Sequence, residues 1–334
     1  MKIKNNIKGN RVFILGAGFS SKAGIPMIGS LLQKTMKGFS LESDELYKRI
    51  STHAKKCCNK DYLDYSSLDF SQLCTFLEYI DFKEYGGCER FTNSGSREKI
   101  ALKYFLSKTI ANETPEDDQI PDLYTEFVKQ LRNTDVIITF NWDILLEKAI
   151  QAIGKTYSYI GNGNRETDIN IYKLHGSINW RLDKHFLGKQ CLNWKPLGFK
   201  TNMIKNEVYY SDELLYKKAW EKFSLFTEVE PFIILPGFGK GFDVRFLSPL
   251  WYKPEYAFAF TTEVYIIGCS LAADDFFIRS FFIDNLIDIG KNKGESRKII
   301  IIDPDESVRE KYLPICNMEI TEFINEKFSK EHIS

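Results

Sequence analysis

The feature that most constrains this chain is an apolar strand pattern that ends in two closely spaced glycines. Residues 12–15 read Val-Phe-Ile-Leu, and Gly16 and Gly18 follow directly. Short β-branched runs are typical of parallel strands buried on both faces, and a helical pattern begins after the glycines. A strand, a tight turn and a helix N-terminus expose backbone N–H groups at one point, which suits a phosphate. Glycine there also lets a ligand approach the backbone. A plain strand-to-helix turn is the alternative interpretation.

The fingerprint of ordinary dinucleotide-binding folds fits this segment only in part. Ser21 stands where that fingerprint has a third glycine or alanine. The fingerprint also requires an acidic residue after a second strand about twenty residues later, whereas residues 31–39 carry no strand pattern. The sequence therefore favours a phosphate-binding turn and disfavours a dehydrogenase.

The composition is typical of a packed protein without a bulk charge. Of the 334 residues 43% are hydrophobic, and 45 basic side chains balance 45 acidic ones. This balance gives no reason to expect a nucleic acid or an anionic membrane as a partner. No apolar run reaches transmembrane length, and the first six residues lack the apolar core of a secretory signal. We therefore expect a cytoplasmic location.

The seven cysteines predict neither disulfides nor a zinc module. They are scattered and odd in number, as is typical of reduced thiols in a cytosol, and no C-x-x-C pair occurs. Cys57 and Cys58 are adjacent, but no second pair lies at the spacing of a zinc ribbon. We expect no bound metal.

The periodicity of the chain predicts an α/β fold, a Rossmann-like parallel sheet with helices on both faces. Strands after the first are predicted at 135–139, 170–174, 178–181, 232–235, 263–267 and 298–302. Helices are predicted at 20–36 (interrupted near Pro26), 44–58, 67–82, 97–110, 121–131, 144–153, 211–223, 249–260 and 274–288. We interpret the chain as one domain with a helical insertion over 41–131 and a mixed insertion over 182–230. The polar tail 323–334 is expected to be peripheral.

Polar or glycine residues follow several of the predicted strands directly. They are Gly16–Ser20, Asn141 and Asp143, His175–Ser177, Gly268–Ser270 and Asp303. The carboxyl ends of parallel strands converge on one crevice of an open sheet, so these residues predict a ligand site there. The glycine-rich segment 236–241 is interpreted as a surface loop rather than a lid. Asp274 and Asp275 are interpreted as helix caps, and Trp251 as a core anchor.

The order of these motifs resembles the sirtuin-like NAD-binding family. The motifs are G-A-G-x-S at 16–20, G-I-P at 24–26, T-x-N-x-D at 139–143, H-G-S at 175–177 and G-x-S-L at 268–271. The resemblance implies that NAD+ binds, with catalytic roles for Asn141, Asp143 and His175. It implies binding roles for a larger set, namely Gly16, Ala17, Gly18, Ser20, Ile25, Pro26, Thr139, Phe140, Gly268, Ser270 and Asp303.

Three departures separate the chain from the deacylating sirtuins. Those enzymes carry two C-x-x-C pairs for zinc, a D-F-R segment after G-I-P, and a glutamine where this chain has Phe140. In these respects the chain resembles the prokaryotic branch that hydrolyses NAD+ in antiphage defence. The resemblance implies an NAD+ glycohydrolase that acts without a metal as an effector of abortive infection. An NAD-dependent protein deacylase and a non-catalytic subunit that binds NAD or ADP-ribose are the alternatives.

An NAD+ hydrolase that is always active would deplete the cofactor of its own cell, so its activity must be gated. We therefore expect a homo-oligomer, or a complex with a separate sensor such as a translocase-type ATPase or an Argonaute-like protein. The predicted contact surface is the helical region 44–110. Helices that only cover the sheet are the alternative.

Overall fold

The computed structural model of the protein describes most of the chain. The described residues are 10–42, 44–58, 68–85, 97–159, 169–183, 202–205, 208–210, 229–237, 240, 244, 247–272, 275–287, 289 and 297–332. The helix predicted at 211–223 and most of the insertion predicted at 182–230 lie outside them. In the described part of the chain, no helix is long and apolar enough to cross a bilayer.

The strands form two sheets, of which the larger is the centre of the fold. In chain order the strands are β1 (Asn10–Leu15), β2 (Val136–Thr139), β3 (Tyr157–Tyr159), β4 (Ile169–Lys173), β5 (Gly176–Asp183), β6 (Asn202–Lys205), β7 (Val208–Tyr210), β8 (Val229–Ile233), β9 (Thr261–Ile267), β10 (Lys298–Ile302) and β11 (Thr321–Ile324). The large sheet has seven strands in the order β11-β10-β9-β1-β2-β4-β3. Every neighbouring pair in it is parallel, which confirms the predicted Rossmann-like sheet.

Strand β1 lies in the middle of this sheet, between β2 and β9. Val12 and Ile14 are fully buried, and the Phe13 ring packs edge-on against Phe127 and face-to-face against Tyr265. Both faces of β1 are therefore covered, which is why its sequence is a continuous apolar run instead of an alternating one.

Helices flank the sheet. In chain order they are α1 (Ala17–Ser20), α2 (Ile28–Glu42), α3 (Asp44–Cys58), α4 (Phe70–Tyr85), α5 (Arg97–Glu113), α6 (Asp122–Gln130), α7 (Leu145–Ala152), α8 (Ser248–Tyr252), α9 (Glu255–Phe260), α10 (Phe276–Leu286) and α11 (Ser307–Tyr312). The break predicted near Pro26 is present: a single 3-10 turn follows α1, Gly24 takes a left-handed φ of 84°, and α2 begins at Ile28.

Helices α2 to α5 pack on one another, and α5 also packs against β8 and β5 of the smaller sheet. The predicted range 44–58 is the range of α3, whereas α4 begins three residues later than predicted. The reason is a cap: the Asp69 carboxylate accepts a hydrogen bond of 3.1 Å from the Gln72 amide, so the helix starts at Phe70. Helix α6 lies instead on the large sheet, where Phe127 meets Phe13. The boundaries of the helical insertion stay a prediction.

The smaller sheet is antiparallel, with the order β6-β7-β5-β8. The prediction that a strand at 232–235 resumes the parallel alternation is wrong, because β8 ends at Ile233 and pairs antiparallel with β5. Gly176 explains the change of sheet. Its φ is 74°, and an added Cβ would overlap the carbonyl of Phe232, so only glycine allows the sharp turn from β4 into β5.

The C-terminal tail is not peripheral, contrary to the prediction. Strand β11 adds to the large sheet beside β10, and the Phe328 ring packs against Phe19 and Phe127. Because the residues around Phe328 are polar, the sequence does not indicate that its side chain packs in the core. The helix predicted at 249–260 is divided into α8 and α9 before Pro254, a residue that lacks the amide proton that a helix interior needs.

Candidate functional site

Two turns that are distant in sequence meet at backbone contact, residues 16–18 after β1 and Gly268 after β9. A Cβ on Gly16 would lie 2.6 Å from the Cα of Cys269, and one on Gly18 would lie 2.7 Å from the Cα of Gly268. Gly268 itself has a left-handed φ of 60°. A side chain at any of the three glycines would push the two turns apart, so close packing of protein on protein requires them.

The amide groups of this first turn are largely used by the protein itself. Gly16 donates to the carbonyl of Ile267 at 3.0 Å, Gly18 to that of Gly268 at 2.9 Å, and Phe19 to that of Gly16 at 3.0 Å. The expectation that these amides are free for a phosphate is therefore wrong for these three groups. Helix α1 is only four residues long, so its dipole adds little at this position.

Asn141 ties the end of β2 to the turn after β1. Its side-chain amide donates to the carbonyl of Gly16 at 2.9 Å and to the Ser20 hydroxyl at 3.2 Å. The Thr139 hydroxyl accepts from the backbone of Asn141 and donates to the carbonyl of Leu15, each at 3.1 Å. The predicted residues Thr139, Asn141 and Ser20 therefore form one hydrogen-bonded unit.

Asp143 is buried at the start of α7, and its carboxylate accepts from the Leu145 amide at 3.1 Å. Burial raises the pKa of Asp143 above its ordinary value, and the charge of Glu147 acts in the same direction. Lys173, the Leu145 amide and the Ser20 hydroxyl oppose this increase in the pKa. Asp143 is thus a carboxyl whose charge depends on its immediate neighbours.

A buried polar network lies next to Asp143. The Lys173 ammonium donates to the Asp143 carbonyl and forms an ion pair of 2.9 Å with Glu147. The Tyr159 hydroxyl donates to the same carboxylate at 2.7 Å, and the Asn179 amide donates to Tyr159 at 3.1 Å. This network fixes the backbone that carries Asp143.

A small cavity of about 10 Å³, the space of one water molecule, lies at the carboxyl ends of β1, β2 and β4. Its lining residues are Leu15, Phe19, Ser20, Thr139, Asn141, Asp143, Leu146, Glu147 and Lys173. Four residues that the sequence singled out lie together here, while Glu147 and Lys173 were missed. A lysine inside a strand pattern was the one sequence signal that could have indicated Lys173.

His175 lies at the end of β4 and is absent from the lining of this cavity. Its ring packs against Phe140 at 5.1 Å and Trp251 at 6.2 Å between centroids. Burial lowers the pKa of His175 well below its ordinary value, and the nearby positive charge of Lys240 lowers it further. At neutral pH the imidazole is therefore uncharged and can accept a proton.

Two charged residues beside His175 were assigned other roles from sequence. Asp275 does cap α10, as predicted, since it accepts from the Ile278 amide at 3.1 Å. The same carboxylate lies 3.8 Å from His175 Nε2 and 2.5 Å from the Lys240 ammonium. Lys240 is buried, which a surface loop does not predict, whereas residues 238, 239 and 241 of its segment lie outside the described residues.

The remaining predicted residues differ in their exposure. Ala17 and Ser270 are exposed, Pro26 is half-buried, and Ile25 and Asp303 are buried. Burial raises the pKa of Asp303, whose carboxylate accepts a hydrogen bond of 3.0 Å from a backbone amide two residues later. Among the described residues, no three His, Cys, Asp or Glu side chains form a metal-binding group.

The solved structures that align with this chain include Sir2 proteins. A Sir2Tm structure with a propionylated peptide aligns with 97% of this chain and 90% of its own, at 12% identity and a TM-score of 0.42. A Sir2 structure with a p53 peptide and NAD+ aligns with 98% of this chain and 94% of its own, at 13% identity and a TM-score of 0.41. A comparison with curated proteins finds no match.

The sequence itself matches one protein family. Residues 135–321 match the SIR2-like domain, and this range carries Asn141, His175 and Gly268. The match covers more than half of the chain, and the chain therefore belongs to the SIR2-like family.

Proposed function

We propose that this protein is an NAD+ glycohydrolase that releases nicotinamide and ADP-ribose. The observation that carries the proposal is the cavity at the ends of β1, β2 and β4, which brings Ser20, Asn141 and Asp143 together. In a parallel α/β sheet this edge is where ligands bind. Membership of the SIR2-like family supports NAD+ as the ligand.

The residues that line the cavity indicate which part of NAD+ would bind at this edge of the sheet. We place the nicotinamide and its ribose beside Asn141 and Asp143, the residues assigned to the reaction. The adenosine half would then extend toward Ser270 and Asp303, which follow β9 and β10 on the same edge.

The reaction needs little help for its leaving group. The bond between ribose C1′ and the pyridinium nitrogen breaks, its electron pair goes to the ring, and nicotinamide leaves as a neutral molecule. A water oxygen forms the new bond to C1′ and gives up one proton. The demanding steps are stabilisation of an oxocarbenium-like ribose and placement of that water.

The described side chains suit these steps. The Asn141 amide is held by Gly16 and Ser20, so its carbonyl oxygen is oriented for a ribose hydroxyl or the water. An ionised Asp143 would stabilise the cationic ribose. His175 follows β4, the neighbour of β2 in the sheet, and its ring packs against Phe140, the residue before Asn141. Neutral His175 is the base that takes the proton.

The experiment is incubation of the purified protein with NAD+, followed by chromatographic separation of NAD+, nicotinamide and ADP-ribose. We expect both products without any peptide. Product that forms only with an acetyl-lysine peptide would identify a deacylase, and NAD+ binding without turnover would identify a binding subunit; either result overturns the proposal.

Variants test the assigned residues. Asn141→Ala and His175→Ala should each abolish NAD+ cleavage. Asn141 is proposed to orient a ribose hydroxyl or the water, and His175 is proposed to accept the proton. Asn170→Ala, on the same sheet, and His332→Ala, near the C-terminus, are the matched controls, and both should retain activity. Circular dichroism verifies that each variant is folded. Unchanged NAD+ consumption in Asn141→Ala or His175→Ala removes that residue from the mechanism.

We also propose that the protein is the effector of an antiphage system and acts in an assembly. The proposal rests on the resemblance to defence NADases and on the need to gate an enzyme that depletes NAD+. Size-exclusion chromatography with light scattering, with and without co-expressed neighbouring genes, tests it. A monomer that cleaves NAD+ at full rate unaided would contradict it.

A further inference from the structure

Three buried ionisable side chains from distant parts of the chain meet beside the proposed reaction centre. The Lys240 ammonium lies 2.5 Å from one oxygen of Asp275, and the same oxygen lies 3.8 Å from Nε2 of His175. The side chains of Lys240, Asp275 and His175 are 5%, 12% and 9% exposed. Water screens charges weakly at such burial, so both charges act strongly on the imidazole.

The other described neighbours of the His175 ring are uncharged. Phe140 after β2 and Trp251 on α8 pack against it, and the carbonyl of His175 accepts from the Ile234 amide at 2.9 Å. Within the described residues, Nε2 of His175 is buried and has no hydrogen-bonding partner. Among the residues that the structure describes, the charged groups facing the ring are Asp275 on α10 and Lys240 after β8.

Both charges are held in place by the fold. The second oxygen of Asp275 accepts from the Ile278 amide at the start of α10, which fixes the orientation of the carboxylate. Lys240 follows Gly237, whose φ of 134° lets the segment pack against α4; a Cβ there would lie 3.0 Å from the Thr75 hydroxyl. The Asp275 carboxylate is therefore preorganised, and its ion pair with Lys240 places the ammonium beside it.

We propose that Asp275 and Lys240 are an opposed pair of positioning residues for His175. Lys240 acts with burial to keep the resting imidazole neutral, and Asp275 stabilises the imidazolium that forms when His175 takes a proton. The catalytic meaning of this pair rests on the proposed function, in which His175 is the base. The electrostatic relation itself concerns only the protonation of His175 and can be measured without any turnover.

The experiment is a titration of the protein by NMR with ¹³C-labelled histidine. The chain has four histidines, so the His175 signal is assigned by its absence in His175→Ala. The variants are Lys240→Met, Asp275→Asn, and the two combined. Asparagine caps helices as well as aspartate does, so Asp275→Asn removes the charge and keeps the cap.

The two charges predict changes of opposite sign. Lys240→Met should raise the pKa of His175 by about 1 or more, since a charge within about 4–6 Å shifts a pKa by that amount. Asp275→Asn should lower it, and the combined variant should titrate below Lys240→Met. Lys240→Arg keeps the charge and should keep the wild-type titration. A His175 titration unchanged in Lys240→Met, or changes of one sign throughout, overturns the proposal.

Two features keep the test decisive. If Lys240→Met does not fold because Asp275 is left buried, comparison of Asp275→Asn with the combined variant measures the same effect of Lys240. In enzyme that cleaves NAD+, the acid limb of the pH profile should also move to higher pH in Lys240→Met. If the protein does not cleave NAD+, the proposed function fails while the NMR titration still decides the role of the pair.

Discussion

Replacing Gly268 with alanine should destabilise the protein more than the same replacement at Gly154. Both glycines have a left-handed backbone, with φ of 60° and 73°. A Cβ on Gly268 would lie 2.6 Å from the Cα of Gly18, whereas a Cβ on Gly154 meets no atom within 4 Å. The pair therefore separates the cost of backbone conformation from the cost of breaking the contact between the two turns.

The magnitudes follow from these two costs. A left-handed conformation costs a residue other than glycine about 1–2 kcal/mol, and both variants bear this cost. Overpacking adds about 1–3 kcal/mol and applies only at Gly268, where the obstacle is backbone and cannot rotate away. We expect Gly268→Ala to lose about 2–5 kcal/mol of unfolding free energy, and Gly154→Ala about 1–2 kcal/mol.

Urea unfolding followed by circular dichroism measures both variants against the wild type. A lower midpoint at unchanged slope reports lost stability. Gly268→Ala should also weaken NAD+ cleavage, because its methyl group displaces the turn that holds Asn141 and Ser20. Equal losses of stability in the two variants would refute the reasoning, since conformation alone would then explain both.

Three further predictions concern a buried carboxyl, the tail and metals. Burial raises the pKa of Asp143 in the folded state. The stability of the wild type should therefore fall relative to that of Asp143→Asn as the pH rises from the ordinary carboxyl pKa toward the raised value. Urea unfolding at several pH values measures this difference in stability, and a difference that does not change with pH contradicts the prediction. Phe328→Ala should cost about 3–5 kcal/mol of unfolding free energy, because its ring packs on Phe19 and Phe127, whereas Phe260→Ala, 71% exposed, should cost little. EDTA should leave the thermal midpoint unchanged, and a large decrease would reveal a metal site.

Local sequence was enough to predict most elements of the large sheet. The run 12–15 is continuous and apolar because β1 is covered on both faces, and the helix at 44–58 is amphipathic over its whole length. Asn141 and Asp143, which follow β2, were predicted to contribute to a ligand site, and both line one cavity together with Thr139. These features can be predicted from the sequence because each depends on residues within or next to one element.

Tertiary structure decided the features that depend on distant segments. Gly16 and Gly18 are recognisable as a turn, but the backbone that fills their Cβ positions comes from Gly268, some 250 residues later. From the sequence, Phe328 is predicted to belong to a polar tail, whereas in the structure its ring packs against Phe19.

The environment of His175 shows most clearly that contacts between distant segments decide the properties of a residue. The motif H-G-S indicates a turn with a histidine, and nothing local indicates its charge state. The fold brings Lys240 from the segment after β8 and Asp275 from the start of α10 to the same ring. Electrostatic energy depends on distance through space and on burial, and the order of residues along a chain specifies neither.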